Sequence, residues 1–178
     1  MRIIRDERAG MEAVLSALST GAEAEFALFH RRKAAVYGEP RYFDEAAASR
    51  EGLLCFPLRH HQGTTVCFPG DLSLMELRHD RTCRCREAIH RVREWLLTMG
   101  VPVRMEGNDL LADGRKVASW AANEQGGYRQ TAAHFSIHTE PELIRRVCAK
   151  PMKKEPGALA GYGLSAEDIW RSISDLWE

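Results

Sequence analysis

A chain of 178 residues that is 44% hydrophobic and 28% charged has the composition of one soluble globular domain, large enough to bury a core. Lysine plus arginine equals aspartate plus glutamate at 25 each, a balance that argues against a surface built for nucleic acid or an anionic membrane. Five scattered cysteines (Cys55, Cys67, Cys83, Cys85, Cys148) and the absence of any apolar run of signal-peptide or membrane-span length point to reduced thiols and a cytoplasmic location.

The spacing of Met11, Val14, Leu15 and Leu18 predicts an amphipathic helix that ends at Gly21. Apolar runs at 26–29 and 34–37 predict two strands split by a basic turn. "YFDEAAASREG" predicts a short helix closed by Gly52, and "LLCFPL" a buried strand. Residues 59–72, "RHHQGTTVCFPGDL", show no clear regular element, and "LSLMEL" returns to strand character. "CREAIHRVREWLLTMG" carries the strongest helical pattern, with Ala88, Val92, Trp95, Leu96 and Met99 as its apolar stripe. "VPVRM", "DLLA", "KVASWA" and "AAHFSIH" then read as successive strands, with a hairpin bend at Asp113-Gly114. "EPELIRRVCAK" predicts a helix with Leu143, Ile144 and Val147 inward, and residues 150–163 a loop. A last helix begins at Ser165, with Asp168 in the capping-box position. Strands in blocks with helices between them imply an α/β (α+β) single domain over 1–178, with a mixed, largely antiparallel sheet flanked by helices.

Chemistry-bearing residues fall in five places. The 59–72 loop combines Arg59, His60 and His61 with Gly63, Gly70 and the hydroxyls of Thr64 and Thr65, a set suited to an anion or acyl group. Lys116, just past the bend, could place a point charge on a phosphate or a developing oxyanion, although a lysine beside a turn is usually only solvated. His134 sits within a strand. His79, Cys83, Cys85 and His90 depart from the paired spacings of zinc sites, so no metal ligands are assigned. The basic run Arg81, Arg84, Arg86, Arg91 and Arg93 is interleaved with Glu87 and Glu94, as in a salt-bridged solvent face.

The order of these pieces is more specific than any one of them. "GNDLLADGRKVASWA" resembles the "ND…G-K-[IV]-[AS]-G" segment of the catalytic domain shared by lipoate–protein ligases, octanoyltransferases and biotin–protein ligases. "RHHQGTTVCFPGDL" resembles that family's Gly-rich loop, with Arg59, Thr65, Pro69, Gly70 and Leu72 at matching positions. "AAHFSIHTEPELIRRVCAKPMKK" is similar to the lipoyl branch. The triple glycine is reduced here to Gly63, Phe135 replaces the glycine after the family histidine, and "PGALAGYGL" lacks the cysteine of octanoyltransferases.

The resemblance spans about residues 10–177 and implies a ligase without the accessory C-terminal domain. It would join lipoate or octanoate to a lysine of a lipoyl-type carrier protein through an acyl-adenylate made from ATP, with Mg²⁺ on the phosphates. Lys116 would contact the adenylate. Arg59, His60, His61, Gly63, Thr64, Thr65, Asn108, Asp109 and His134 would bind substrate and nucleotide. The reduced glycines leave a second reading, in which the same fold binds a small molecule or a protein without catalysis.

Overall fold

The structure is a computed structural model that describes residues 1–58, 63–80, 82–125, 127–149 and 152–178. Strands β1 (Arg2–Ile4), β2 (Ala24–Phe29), β6 (Leu72–Arg78), β7 (Val103–Glu106), β8 (Asp109–Ala112), β9 (Arg115–Gln125) and β10 (Tyr128–Phe135) form one sheet in the order β1-β2-β6-β10-β9-β8-β7. Among the described strands of this sheet, β1 and β2 pair in parallel and the other neighbours antiparallel. A second sheet has the order β4-β3-β5, from β3 (Ala34–Tyr37), β4 (Leu54–Pro57) and β5 (Thr64–Cys67). This is the mixed, largely antiparallel architecture that the sequence implies.

The period of two along each strand gives the large sheet two different faces. Ala27, Phe29, Leu72, Leu74, Ala133 and Phe135 pack on one side against α3 (Arg84–Thr98) and α5 (Ala166–Ile173). Phe26, Leu28, Ser73, Met75, Ala132 and His134 alternate with them onto the other side. That second face is covered by α1 (Glu7–Thr20) and by the small sheet. Ala35, Tyr37 and Phe68 in turn pack against α2 (Glu45–Arg50) and α4 (Pro141–Val147).

The helices start and stop where local chemistry dictates. Asp6 caps α1 by accepting from the Ala9 N–H at 2.8 Å, and Gly21 ends it at φ 65°. Ser165 and Asp168 form the expected capping box. The start of α3 has no side-chain cap of its own; instead buried Glu76 of β6 accepts from the Cys85 N–H at 3.0 Å and from the Thr131 hydroxyl at 2.8 Å. Buried Glu7 accepts from the Arg31 and Arg32 N–H groups at 2.6 and 2.7 Å, fixing the β2–β3 turn to α1.

Several expectations are corrected. The 59–72 stretch contains a strand, β5, whose Thr-Thr-Val-Cys sequence is β-prone but too short to show a period. β4 is only partly buried, because it is the edge of a three-stranded sheet. β1 is a three-residue strand that no pattern reveals. Leu15 and Met99 are exposed, and Ile89 takes the place in the α3 stripe assigned to Met99. Ile144 is half-buried rather than inward.

Asp71, at the entry to β6, has no exposed surface. Its carboxylate accepts from the N–H groups of Phe68 at 2.8 Å, Ile137 at 2.7 Å and His138 at 3.0 Å. Its own carbonyl accepts from the His30 N–H at 2.9 Å. The ends of β5 and β10 are thereby tied to one side chain, and the end of β2 to the same residue's carbonyl. Asp71→Ala strands two buried donors and one part-buried donor and should cost about 3–5 kcal/mol, read as a lower urea midpoint; a midpoint like wild type would show that the tie is dispensable.

Candidate functional site

A cavity of about 530 Å³ lies between the two sheets. Cross-strand register builds its floor. Leu28, Ser73, His134, Ser119 and Asp109 are successive partners across β2, β6, β10, β9 and β8, and all five line the cavity. With strands about 4.8 Å apart, this row runs for about 19 Å. The neighbouring row, Phe26, Met75, Ala132 and Ala121, is wholly apolar. Ile4, Met11 and Val14 extend the apolar wall at the β1 edge, while Asn108, Asp109 and Lys116 make the opposite, β8–β9 edge polar. Val36, Thr64, Thr65 and Cys67 of the small sheet also line the cavity.

Lys116 reaches this face because of an irregularity. Leu110 pairs with Ala118 but Leu111 pairs with Lys116, which leaves Val117 as the extra residue of a β-bulge. In an unbroken strand Ser119 and Val117 would share a face and Lys116 would point into the core. The bulge reverses that: Val117 is buried among core residues and Lys116 lines the cavity. The segment around residues 155–157 locks the arrangement. Lys116 N–H donates to the Glu155 carbonyl at 2.8 Å, and the Gly157 N–H donates to the Lys116 carbonyl at 2.8 Å. A Cβ on Gly157 would lie 2.8 Å from Arg115 Cβ, so the close approach requires glycine.

Asp109 lies between two ammonium groups, 3.1 Å from Lys116 Nζ and 2.8 Å from Lys154 Nζ. Burial pushes its carboxyl up, but Lys154 and Lys116 outweigh burial and hold it below the usual range. Lys116 is 40% exposed, so the pair is worth under about 1 kcal/mol and serves to position the ammonium rather than to stabilise the fold. Lys153 also lines the cavity. Lys154 also pairs with Glu106 at 3.4 Å, so it is Lys153, as the third lysine beside two carboxylates, that leaves this edge net positive and suited to an anionic group.

The middle of the floor holds a polar cluster. Ser73 Oγ bridges His30 Nε2 at 2.8 Å and His134 Nδ1 at 3.0 Å. Cys67 Sγ, from the small sheet, is 4.0 Å from His134 Nδ1, and His134 Nε2 is 3.4 Å from Asp71. Burial alone would raise the Cys67 thiol; His30 and His134 reverse this and lower it to about 6. Burial disfavours the His134 cation, yet Cys67 and Asp71 raise its pKa above the ordinary histidine value.

Of the residues singled out from sequence, Thr64, Thr65, Asn108, Asp109, Lys116 and His134 converge on this cavity. Gly63 adjoins it, at φ 89°, with its carbonyl accepting from the Gly38 N–H at 3.1 Å. Arg59, His60 and His61 lie outside the described residues. Phe135 points to the opposite, core face. Sequence reading missed His30, Ser73, Asp71 and the role of Cys67; no motif marks them, because they meet only through strand register. Cys85 is buried beneath Glu76, with its thiol pushed well up by burial, and is not in the cavity lining. Arg84 and Arg91 pair with Glu25 and Asp175, and Arg93 with Glu94, as a salt-bridged face requires; Arg81 lies outside the described residues.

No family model matches the sequence, and no curated protein matches it. Solved structures resemble it in fold. A bipartite lipoate protein ligase from Thermoplasma acidophilum, studied with its E2 lipoyl domain, superposes with a TM-score of 0.70 at 14% identity, over 98% of this chain and 80% of its own. LipL1 of P. falciparum, in complex with lipoate, gives 0.72 at 9% identity over 98% of this chain and 60% of its own. Lipoate-protein ligase A bound with ATP gives 0.71 at 15% identity over 97% and 81%. At these identities the likeness is one of architecture: the chain has the lipoate–protein ligase catalytic-domain fold.

Proposed function

We propose that this protein is a lipoate–protein ligase-like acyl-transfer enzyme. It activates lipoate, octanoate or a similar small carboxylic acid with ATP and transfers the acyl group to a lysine of a lipoyl-type carrier protein. The observation that carries this reading is the polarity gradient of the cavity, from the apolar wall of Met11, Val14, Phe26 and Met75 to Asn108, Asp109 and Lys116. An acid with an aliphatic body and an anionic end matches that gradient. The ligands and partner named for the neighbouring folds (lipoate, ATP and an E2 lipoyl domain) support the same reading.

In this scheme the substrate carboxylate attacks the α-phosphorus of ATP and pyrophosphate leaves, with Mg²⁺ on the phosphates. Lys116 holds the carboxylate and the developing phosphate charge, and Asp109 holds Lys116 in place. The carrier lysine then attacks the acyl carbonyl and AMP leaves. Thr64 and Thr65 supply hydroxyls from the small sheet, Asn108 lies beside the nucleotide, and His134 faces the substrate from the floor. Gly63 lies next to Thr64 of the cavity wall, and the family resemblance assigns Arg59, His60 and His61 to acyl and nucleotide binding. A binding module with the cavity closed by Phe135 is disfavoured, because Phe135 lies on the other face of the sheet.

The direct test is pyrophosphate release from ATP and Mg²⁺ that depends on added lipoate or octanoate, followed by the mass gain of a lipoyl-domain acceptor. Lys116→Ala should weaken lipoate binding and slow adenylate formation at saturating lipoate about 10²–10³-fold. A variant as fast as wild type would remove Lys116 from the chemistry. Ala132→Phe fills the apolar row, so it should weaken octanoate and lipoate binding at least about tenfold while sparing acetate-length acids; equal losses for all chain lengths would mean that the acyl chain lies elsewhere.

A further inference from the structure

We propose that His30, Cys67 and His134 form a binding site for a zinc-like divalent transition ion, with a coordination position open to the cavity. The site shares His134 and the cavity with the proposed ligase reaction but does not require it: Lys116 is not one of its ligands, and it would stand if no acid were ever activated.

The three residues come from different parts of the fold. His30 follows the end of β2, Cys67 ends β5 in the small sheet, and His134 lies in β10. Their ligand atoms all fall within 4.8 Å of one another. His30 and Cys67 are buried, and the His134 side chain is only 12% exposed. One thiolate and two imidazoles are the donor set that zinc favours, and three protein ligands plus one free position is the pattern of an ion that meets a substrate or water.

Surrounding groups are those that a metal-bound histidine needs. His134 offers Nδ1 to the centre while its Nε2 lies 3.4 Å from Asp71, and a carboxylate behind a ligating histidine fixes its orientation and tautomer. Asp71 is itself held by three backbone N–H groups, so this support is rigid. His30 offers Nε2 to the centre, but its buried Nδ1 has no hydrogen-bond partner among the described residues, so of the two imidazoles only His134 has a carboxylate behind it.

Ser73 Oγ stands between the two imidazoles. One rotation about its Cα–Cβ bond removes it, and the ligands then need to close by about 1 Å to reach the roughly 3.5 Å separations of a tetrahedral site. A serine, a thiol and two imidazoles gathered beside Leu28, Met75 and Ala132 carry a desolvation cost that an apolar set would avoid. An ion that binds all three donors offsets that cost.

The test uses the purified full chain titrated with Co²⁺ alone and then with Zn²⁺. The expected result is about one Co²⁺ per chain, with tetrahedral visible bands and a thiolate-to-cobalt charge-transfer band in the near ultraviolet, all displaced by Zn²⁺. Cys67→Ala and His30→Gln should each abolish the charge-transfer band or weaken binding at least about 100-fold, whereas Cys83→Ala should leave both unchanged. A second measurement needs no variant: Zn²⁺ should slow iodoacetamide labelling of Cys67, located by peptide mass, and leave Cys83 labelling unaffected. A charge-transfer band that survives Cys67→Ala, a band lost in Cys83→Ala, or Cys67 labelling insensitive to Zn²⁺ would each overturn the assignment.

Discussion

The structure depends on one buried carboxylate. Asp71 precedes β6 and bonds to residues just beyond the ends of β2, β5 and β10, and its carboxylate satisfies three backbone N–H groups that no ladder reaches. A buried charge is costly alone, but three short donors and the neighbouring His134 offset that cost and make the position nearly irreplaceable. Two consequences follow from this single constraint. The small sheet is tied to the large one through the Phe68 N–H, and His134 is oriented on the cavity floor. The same atom set that closes the fold therefore aims the most perturbed side chains in the cavity.

The helices and most strands were legible because their patterns are local. A 3.6-residue stripe, a serine three residues before an aspartate, or a glycine after a last apolar residue carries its own geometry. β1 and β5 were not legible, because three or four residues cannot display a period and their burial is set by neighbours distant in sequence. The start of α3 shows the same limit: Cys83 is a poor cap, and only the fold reveals that Glu76 does the capping.

The candidate site divides along the same line. Lys116, Asn108 and Asp109 stood out because one continuous string holds them, and that string resembled known ligases. Strict alternation would nonetheless have turned Lys116 toward the core; the bulge at Val117, locked by Glu155 and Gly157, is what sends it to the cavity. Cys67 looked like one more scattered thiol in a polar loop, and His30 like part of a basic turn. Their proximity arises from two facts the sequence does not display: the pairing of Ser73 with His134, and the folding of the small sheet over that row.

The cavity thus combines two kinds of control. Along the floor, register sets a row in which serine, histidine, serine and aspartate succeed one another across four strands, so the floor is polar from its middle to the edge at Lys116. Across the gap, Cys67 faces His30 and His134, which adds polar atoms to the apolar contacts that Val36 and Phe56 of the small sheet make in the cluster with Phe26 and Met75. Such a junction is sensitive to charge in a way that packed leucines are not, since each partner's protonation changes the attraction between the sheets. Whatever occupies the cavity must fit between a floor set by strand register and a small sheet held down at Asp71 and Cys67. Selectivity for the occupant is then decided where those two layers meet, at the middle of the floor, as much as at the lysine on its edge.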